Sequence, residues 1–373
     1  MTRICRQWMF ACLLVGLVVT LSSCGYKDID KRFFVVSMGI DHNAEAEEDS
    51  PRYNVLLKLA IPQADVKAGQ EEFILLGEKS DSITNAVRKI KAKVDKELDF
   101  SHTKVILFGE DVVKEGDVNR LLDWFMRRRD IQKIAWVGVA RPNAEKVLQL
   151  KPKSERLPSN ALFLSFGQSG TESAFIVSDY LFSFRKRLTE RGLDPVLPII
   201  EAEDNELLQI DKSVFMNKDK SLGLLNPEET KLLNLITNRT EKADLEVKTT
   251  GTQKFYISIN KAKTKYKIKI PRDSEPYAEV NIKLVGTIEE SSEDIDPADT
   301  KQLKEEAEKR YMKKAEALLS KLQARGADPV GFGLIYRGTH SNSDDWRQWE
   351  ELYPRLTFKV KIEVRIQGFG GLR

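Results

Sequence analysis

A strict alternation near the end of the chain is the feature that most constrains its fold. From Leu356 to Ile366, apolar residues alternate with Thr, Lys, Glu and Arg. Successive side chains of a strand point to opposite faces, so this period describes a strand with one packed and one solvated face. The pattern predicts a terminal strand over 356–367, in an antiparallel sheet that a helix covers on one side.

The helix that such a sheet requires is also visible. Apolar residues from Leu303 to Leu322 recur every three or four positions and form one stripe, which predicts a long helix over 297–325. Gly326 follows at the position where a helix end favours a positive φ. Three upstream runs with period two are predicted as separate strands: 255–259, 266–270 and 280–284.

The first half of the chain mixes strands and helices less regularly. Its first 140 residues are predicted as three strands, a helix, a strand, a helix and a strand, with 33–41 and 53–61 paired as a hairpin. The first helix is predicted from an apolar stripe that runs from Ile83 to Leu98. A second helical pattern covers 171–188.

These patterns predict an α+β fold of unusual topology, with mixed and antiparallel sheets, one-sided amphipathic helices and two to three domains. Roughly 350 mature residues exceed one comfortable core, and Pro195 and Pro198 interrupt any helix, so the main boundary is placed shortly after them. The predicted division is a signal peptide over 1–23, an N-terminal α+β domain over 24–204 with room for a second subdomain from about 150, and a C-terminal α+β domain over 205–373.

The first 24 residues have the layout of a bacterial export signal. Arg3 and Arg6 supply positive charge, and the apolar run over 8–19 is shorter than the roughly 20 residues that span a bilayer. Leu21-Ser22-Ser23-Cys24 is similar to a lipobox, in which the cysteine becomes an S-diacylglycerol, N-acylated amino terminus. We therefore predict a lipoprotein signal and a body held on the outer face of a membrane through Cys24. The alternative is an ordinary secreted protein with a free thiol.

Composition excludes several classes of function. Removal of the signal takes Cys5 and Cys12 and leaves Cys24 alone, so the mature chain has no disulfide and no cysteine-based metal site. The chain has 60 basic residues, two of them in the signal, against 57 acidic ones. This near-neutral balance lacks the overall basic character of a nucleic-acid-binding protein, and no nucleic-acid partner is predicted.

The sequence offers little that resembles a catalytic site. His42, His102 and His340 are far apart and lack the spacing that places two ligands on one face. The segment over 166–170 approaches a nucleophile elbow but lacks its strand-turn-helix context. The glycines within 331–333 lack the third glycine of a dinucleotide loop. We predict no enzymatic activity, no cofactor and no metal site.

Two further features have two interpretations each. The basic triplets over 127–129 and 185–187 either complement helix C-termini or orient the protein on anionic head groups. Trp346 and Trp349 either lie buried under the terminal sheet or form an exposed docking patch.

An ordered set of short segments resembles the Ger(x)C spore germination lipoproteins. The likeness covers nearly all of the mature chain, with one departure at 25–28, where family members often carry a Trp-Asp pair after the lipid cysteine. The matching segments are Ile29-Asp30, Val35-Val36, Gly39-Ile40-Asp41, Tyr53-Asn54-Val55, Phe100-Ser101-His102-Thr103-Lys104-Val105-Ile106, Arg127-Arg128-Arg129-Asp130, Asp194-Pro195-Val196-Leu197-Pro198, Leu222-Gly223-Leu224-Leu225 with Glu229-Thr230, Asp328-Pro329-Val330-Gly331-Phe332-Gly333, and Trp346 with Trp349.

The resemblance implies the C subunit of a nutrient germinant receptor. Such a protein is a non-enzymatic lipoprotein on the outer surface of the spore inner membrane, held in the lipid bilayer through the acylated Cys24. It assembles with two integral membrane subunits, one of them permease-like, and has a three-part α+β fold. The alternative function is a lipid-anchored solute-binding component of a membrane transporter, a class that normally alternates strands and helices around parallel sheets.

Overall fold

The computed structural model describes residues 3, 7, 8, 31–43, 50–61, 73–152, 160–167, 173–203, 207–248, 254–292, 300–340 and 342–368. The predicted lipid-bearing Cys24 and nearly all of the signal lie outside the described residues. Within them, no helix combines the length and the apolar composition needed to cross a bilayer.

The described residues form thirteen strands and ten α-helices. The strands are β1 Arg32–His42, β2 Tyr53–Ala60, β3 Phe73–Ser80, β4 Glu97–Asp99, β5 Val105–Gly109, β6 Trp136–Arg141, β7 Val196–Glu203, β8 Leu207–Met216, β9 Ser221–Leu225, β10 Ala243–Lys248, β11 Lys254–Lys269, β12 Tyr277–Ser291 and β13 Thr357–Ile366. The helices are α1 Ile83–Lys91, α2 Glu110–Glu115, α3 Val118–Arg127, α4 Ala144–Gln149, α5 Asn160–Gly167, α6 Leu181–Thr189, α7 Pro227–Ile236, α8 Thr300–Ala324, α9 Phe332–Thr339 and α10 Asp345–Leu352.

The first sheet has nine strands in the order β3-β2-β1-β5-β6-β7-β8-β9, with β4 paired to the start of β1. Its central strands β1, β5, β6 and β7 are parallel, and antiparallel strands flank them on both sides. Helices cover both faces: α1, α2, α3 and α6 contribute to one core, and α4 and α5 contribute to the other. Because both faces are buried, all five residues of β5 are apolar or glycine.

The second sheet has four strands in the order β10-β11-β12-β13. One of its faces packs on α7, α8 and α9 in a single large core. The predicted long helix corresponds to α8, whose buried stripe includes Leu303, Ala307, Tyr311 and Leu322. The other face of the sheet is largely exposed along β11 and β13.

The α+β class with mixed and antiparallel sheets is confirmed, but four details of the prediction are wrong. The terminal strand β13 pairs in parallel with β12, because the chain crosses over through α8, α9 and α10 between the two strands. The runs at 255–259 and 266–270 belong to one strand, β11, whose alternation shifts at a bulge between Ile259 and Lys261.

The other errors concern helices in the first half. The first helix ends at Lys91, and Leu98 lies in β4. The prediction extended the helix to Leu98 because the spacing of the buried apolar residues happens to stay helical across the end of the helix. Of the described residues within the predicted helix over 171–188, those from Leu181 onward are α-helical. Residues 173–180 instead approach the first sheet, where Tyr180 bridges to Trp136.

The first sheet continues past the predicted domain boundary. Strands β8 and β9 follow residue 204 and pair with β7. The chain then passes to the second core through Asn226, which caps α7 in a capping box with Glu229. The division at 204 stays a prediction about domains, and the two sheets meet without a long connection.

Candidate functional site: the junction between the two sheets

Two Asp-Pro-Val segments that are far apart in sequence meet where the two halves join. Asp194 precedes β7 of the first sheet, and Asp328 lies between α8 and α9. The backbone N–H of Asp194 donates to the carbonyl of Asp328 at 2.9 Å, and the N–H of Asp328 donates to Asp194 Oδ2 at 2.7 Å. These reciprocal hydrogen bonds connect the halves directly.

The Asp328 carboxylate organises the loop that begins α9. Its two oxygens accept from the backbone N–H groups of Gly331, Phe332 and Gly333 at 2.7 to 3.1 Å. Asp328 is only 3% exposed, and burial raises its pKa to about 7, although the amides of Gly333 and Phe332 act to lower it. The neighbouring charge of Asp194 raises this pKa further.

Two cations complete the junction. Arg187 on α6 donates to the carbonyls of Asp194 and Pro329, one on each side, at 3.0 and 3.2 Å. Burial lowers the pKa of this guanidinium to about 10. Lys218, in the β8–β9 turn, lies 2.9 Å from Asp194 Oδ1 and donates to the carbonyls of Arg187 and Leu193.

The two halves also touch backbone to backbone. Gly192 has φ of +80°, and a Cβ there would lie 2.5 Å from the carbonyl carbon of Gly333. A Cβ on Gly333 would lie 2.5 Å from Trp349 Nε1. Leu334 donates its N–H to the carbonyl of Gly192 at 2.9 Å. Glycine is therefore required at both contact positions.

This arrangement favours a structural role for the junction. Its carboxylates are saturated by backbone donors and by Lys218, which leaves neither in the position of a general base facing a substrate. The core of the second sheet also includes Val196 and Phe215 from the first sheet. The site therefore acts as a rigid connection between the two halves, and it contains one carboxyl group, that of Asp328, whose pKa is raised to about 7.

One group among the described residues brings three metal-type ligands together. His42 Nδ1 lies 3.3 Å from Glu115 Oε2, and His42 Nε2 lies 3.2 Å from Asp117 Oδ2. Arg52 lies beside them, with Nη2 2.8 Å from the same Asp117 oxygen. The guanidinium already supplies the positive charge that a metal ion would bring, so the cluster is best described as an ion-pair network.

The other sequence candidates have structural surroundings. His102 is exposed, and its Nδ1 lies 3.0 Å from Ser101 Oγ. The ring of His340 stacks on Tyr336. Trp349 is 2% exposed and packs in the second core, which confirms the interpretation of a buried side chain for this residue. Trp346 is half-buried and packs against the same core.

Half of the residues in the two basic triplets are engaged within the protein. Arg128 pairs with Asp130, and Arg185 lies 2.9 Å from Asp123 Oδ1. Arg187 is part of the junction. Three members of the two triplets are exposed: Arg127, Arg129 and Lys186. The hypothesis that both triplets orient the protein on lipid therefore lacks half of its charges.

Sequence reasoning missed the junction and the His42 network because both depend on contacts between distant segments. In the sequence, Asp194 and Asp328 appear only as parts of the family-like segments. The repeated Asp-Pro-Val was the available signal, since two identical short segments that each precede a buried element are candidates for related turns.

Comparisons with known proteins agree with the ordered motifs. The model of the spore germination protein N-terminal domain matches residues 25–202, and that of the spore germination B3/GerAC-like C-terminal domain matches residues 211–370. Spore germination protein GerQC of Bacillus cereus is 23% identical over 73% of this chain and 76% of its own. Spore germination protein B3 of Bacillus subtilis (strain 168) is 23% identical over 95% of this chain and 97% of its own.

A solved structure has the same fold. The crystal structure of the GerBC protein superposes with a TM-score of 0.56 at 19% identity, covering 88% of this chain and 97% of that one. The two family models together match most of the sequence and adjoin between residues 202 and 211. On this evidence the chain belongs to the Ger(x)C family of spore germination proteins.

Proposed function

We propose that this protein is the lipid-anchored C subunit of a spore nutrient germinant receptor. Its family supports the role in germination, and Leu21-Ser22-Ser23-Cys24 supports the anchor. Cys24 carries the diacylglyceryl and N-acyl groups and holds the body on the outer face of the spore inner membrane. Two acyl chains suffice for stable attachment where one chain binds only marginally.

Within the receptor, the protein acts by assembly with two integral membrane subunits, one of them permease-like. The observation that carries this role is the junction, which joins two unlike sheets through Asp194, Asp328 and Arg187. A rigid body of this kind presents fixed surfaces to its partners. The solute-binding alternative has less support, because such proteins normally have two similar lobes, whereas the two sheets of this chain differ in size and strand order.

The anchor is tested by replacing Cys24 with Ala in spores. We expect the variant to lose the acylated amino-terminal peptide in mass spectrometry and to leave the membrane fraction, with loss of the germination response. Cys12→Ala is the matched control, since Cys12 lies in the same signal and is removed with it. Full membrane retention and normal germination of the Cys24 variant would refute the anchor.

Assembly is tested separately by affinity recovery of the tagged protein from detergent-solubilised spore membranes. We expect the two membrane subunits to be recovered with it, and we expect an ATP-driven transporter to be absent. Recovery of transporter subunits, together with strong stabilisation of the purified protein by a nutrient, would support the solute-binding alternative instead.

A further inference from the structure

The exposed face of the second sheet concentrates positive charge that the overall composition conceals. Five cross-strand rows of β11, β12 and β13 form one end of this face, and we call these fifteen residues the lysine face; the rows at the other end of the sheet carry Asp244, Glu246 and Glu290. The rows are Lys261–Val285–Arg365, Lys263–Lys283–Glu363, Lys265–Asn281–Lys361, Lys267–Glu279–Lys359 and Lys269–Tyr277–Thr357.

The charge on this surface is strongly unbalanced. Nine of the fifteen residues are Lys or Arg and two are Glu, whereas the whole chain has 60 basic and 57 acidic residues. Successive rows lie about 7 Å apart, so the surface is about 27 Å long. It is a broad cationic area on a protein that is almost neutral.

The orientation of these side chains is fixed by the core beneath them. The residues that alternate with them along the strands, such as Ala262, Ile282 and Val364, are buried against the helices. A shift of one residue in register would bury the charges, so the cationic side must remain outward. The segment Lys261-Ala262-Lys263-Thr264-Lys265-Tyr266-Lys267-Ile268-Lys269 carries this pattern in the sequence.

Most of this charge is not neutralised within the protein. One ion pair lies on the face, between Lys283 and Glu363 at 3.2 Å, and Lys359 lies over the ring of Tyr277. No described residue forms an ion pair with the five lysines that β11 contributes to the lysine face, and Lys263 lies directly opposite Lys283. Like charges so placed are destabilising, and neighbouring rows fall within the screening length of about 8 Å at physiological salt. An external anionic partner would relieve this repulsion.

The composition of the face distinguishes between partners. Protein interfaces are enriched in aromatic residues and Arg and depleted in Lys, whereas eight of the nine cations here are lysines. Lysine is a flexible point charge that suits diffuse anions better than specific paired contacts. We infer that the lysine face lies against the anionic head groups of the bilayer and sets the orientation of the body there. This inference rests on the proposed lipid anchor, which brings the protein to a membrane.

The experiment measures binding of the full mature chain, from residue 24 and without acylation, to lipid vesicles at low salt. Vesicles of phosphatidylcholine with phosphatidylglycerol are compared with vesicles of phosphatidylcholine alone. The test variant carries Lys263→Gln, Lys265→Gln and Lys267→Gln. We expect it to lose roughly fivefold in partitioning per lysine, on the order of 100-fold in total.

The matched control carries Lys301→Gln, Lys309→Gln and Lys313→Gln. These lysines are exposed on α8, which covers the opposite face of the same sheet, and their replacement changes the net charge equally. We expect this control to keep most of its binding. A third variant, with Lys263→Arg, Lys265→Arg and Lys267→Arg, keeps the charge and should bind anionic vesicles as well as the unmodified chain does.

The inference would be overturned if the unmodified chain did not bind anionic vesicles, or if the test variant and the α8 control variant lost equal amounts of vesicle binding. It would also be overturned if the test variant bound vesicles normally but no longer recovered the membrane subunits from solubilised spore membranes. The last result would assign the face to a protein partner. Since the chain in this assay is not acylated, the outcome is independent of the Cys24 experiment. Failure of one proposal is thereby distinguished from failure of the other.

Discussion

The two sheets of this protein bury their strands in opposite ways. The first is covered by helices on both faces, and β5 is consequently apolar throughout. The second is covered on one face, and β13 alternates between buried or half-buried apolar residues and exposed Thr, Lys, Glu and Arg residues. Both faces of the first sheet therefore belong to hydrophobic cores, whereas the second sheet contributes one face to a core and the other to the protein surface.

The largest expected effect tests this difference with neighbouring residues. Leu107 and Phe108 are adjacent on β5 and fully buried on opposite faces, so Leu107→Ala and Phe108→Ala should each lower the free energy of unfolding by about 3 to 4 kcal/mol. On β13, Ile362→Ala should cost about 3 kcal/mol and Lys361→Ala less than about 0.5 kcal/mol. Denaturant unfolding measures all four. A near-neutral Leu107→Ala would show that one face of the first sheet is not a packed core.

The next effect concerns the pH dependence of stability. Asp41, which accepts from the N–H groups of Ala144 and Glu145 at the start of α4, has its pKa raised by burial to about 6, and Asp328 has its pKa raised to about 7. A raised native pKa means that the native state binds the proton more tightly than the unfolded state. The contribution of each carboxyl group to the free energy of unfolding is therefore complete below the unfolded pKa near 3.8, and it is lost as the pH rises through the native pKa.

The change across these windows is on the order of 3 kcal/mol for Asp41 and 4 kcal/mol for Asp328. Asp41→Asn should flatten the decline of stability up to about pH 6, and Asp328→Asn should flatten it up to about pH 7. Denaturant unfolding at closely spaced pH values separates the two windows. Retention of the full slope in both variants would contradict the assignment.

A third prediction concerns the backbone contact at the junction. Gly192 has positive φ, and Gly192→Ala places a Cβ against the backbone of Gly333. The substitution should lower the free energy of unfolding by about 3 kcal/mol, and the two halves should then unfold in separate transitions. Gly326→Ala is the control, since Gly326 also has positive φ but nothing within 4 Å of the added Cβ. It should cost about 1 kcal/mol. Calorimetry reports both values, and equal effects would argue against a tight junction.

The smallest effect is expected at the first sheet's ion-pair network. Added Zn²⁺ at micromolar concentration should shift the melting temperature by less than about 1 °C, because the Arg52 guanidinium already lies against the carboxylates of Asp117 and Glu115. Arg52→Ala should make stabilisation by Zn²⁺ measurable. Strong stabilisation of the unmodified protein would identify a metal site instead.

The second sheet was largely predictable from the sequence because one of its faces is exposed to solvent, so that polar and apolar residues alternate along its strands. Strand β13 and helix α8 bury single stripes, so their periods of two and of three to four residues are visible in the residue pattern. The direction of β13 was not predictable, since alternation is the same in parallel and antiparallel strands. It depends on the crossover through α8.

The first sheet was harder for the same physical reason. Where both faces are buried, apolar runs carry no period, and a stripe can continue by chance from a helix into a strand, as happened between Ile83 and Leu98. The junction was beyond sequence reasoning altogether. Asp194 and Asp328 acquire their role only when folding brings them together, and their hydrogen bonds join residues 134 positions apart.

That separation has a consequence for how the molecule is completed. A polypeptide emerges from the ribosome amino terminus first, so the first sheet is available well before the segment around Asp328 has been made. Arg187 must wait for the carbonyl of Pro329, and Asp194 for the backbone N–H and carbonyl of Asp328, and the last strand to arrive lies at the edge of the second sheet. A chain truncated before Asp328 would therefore lack these contacts, so the loss of a late segment would weaken a part of the molecule that is made early.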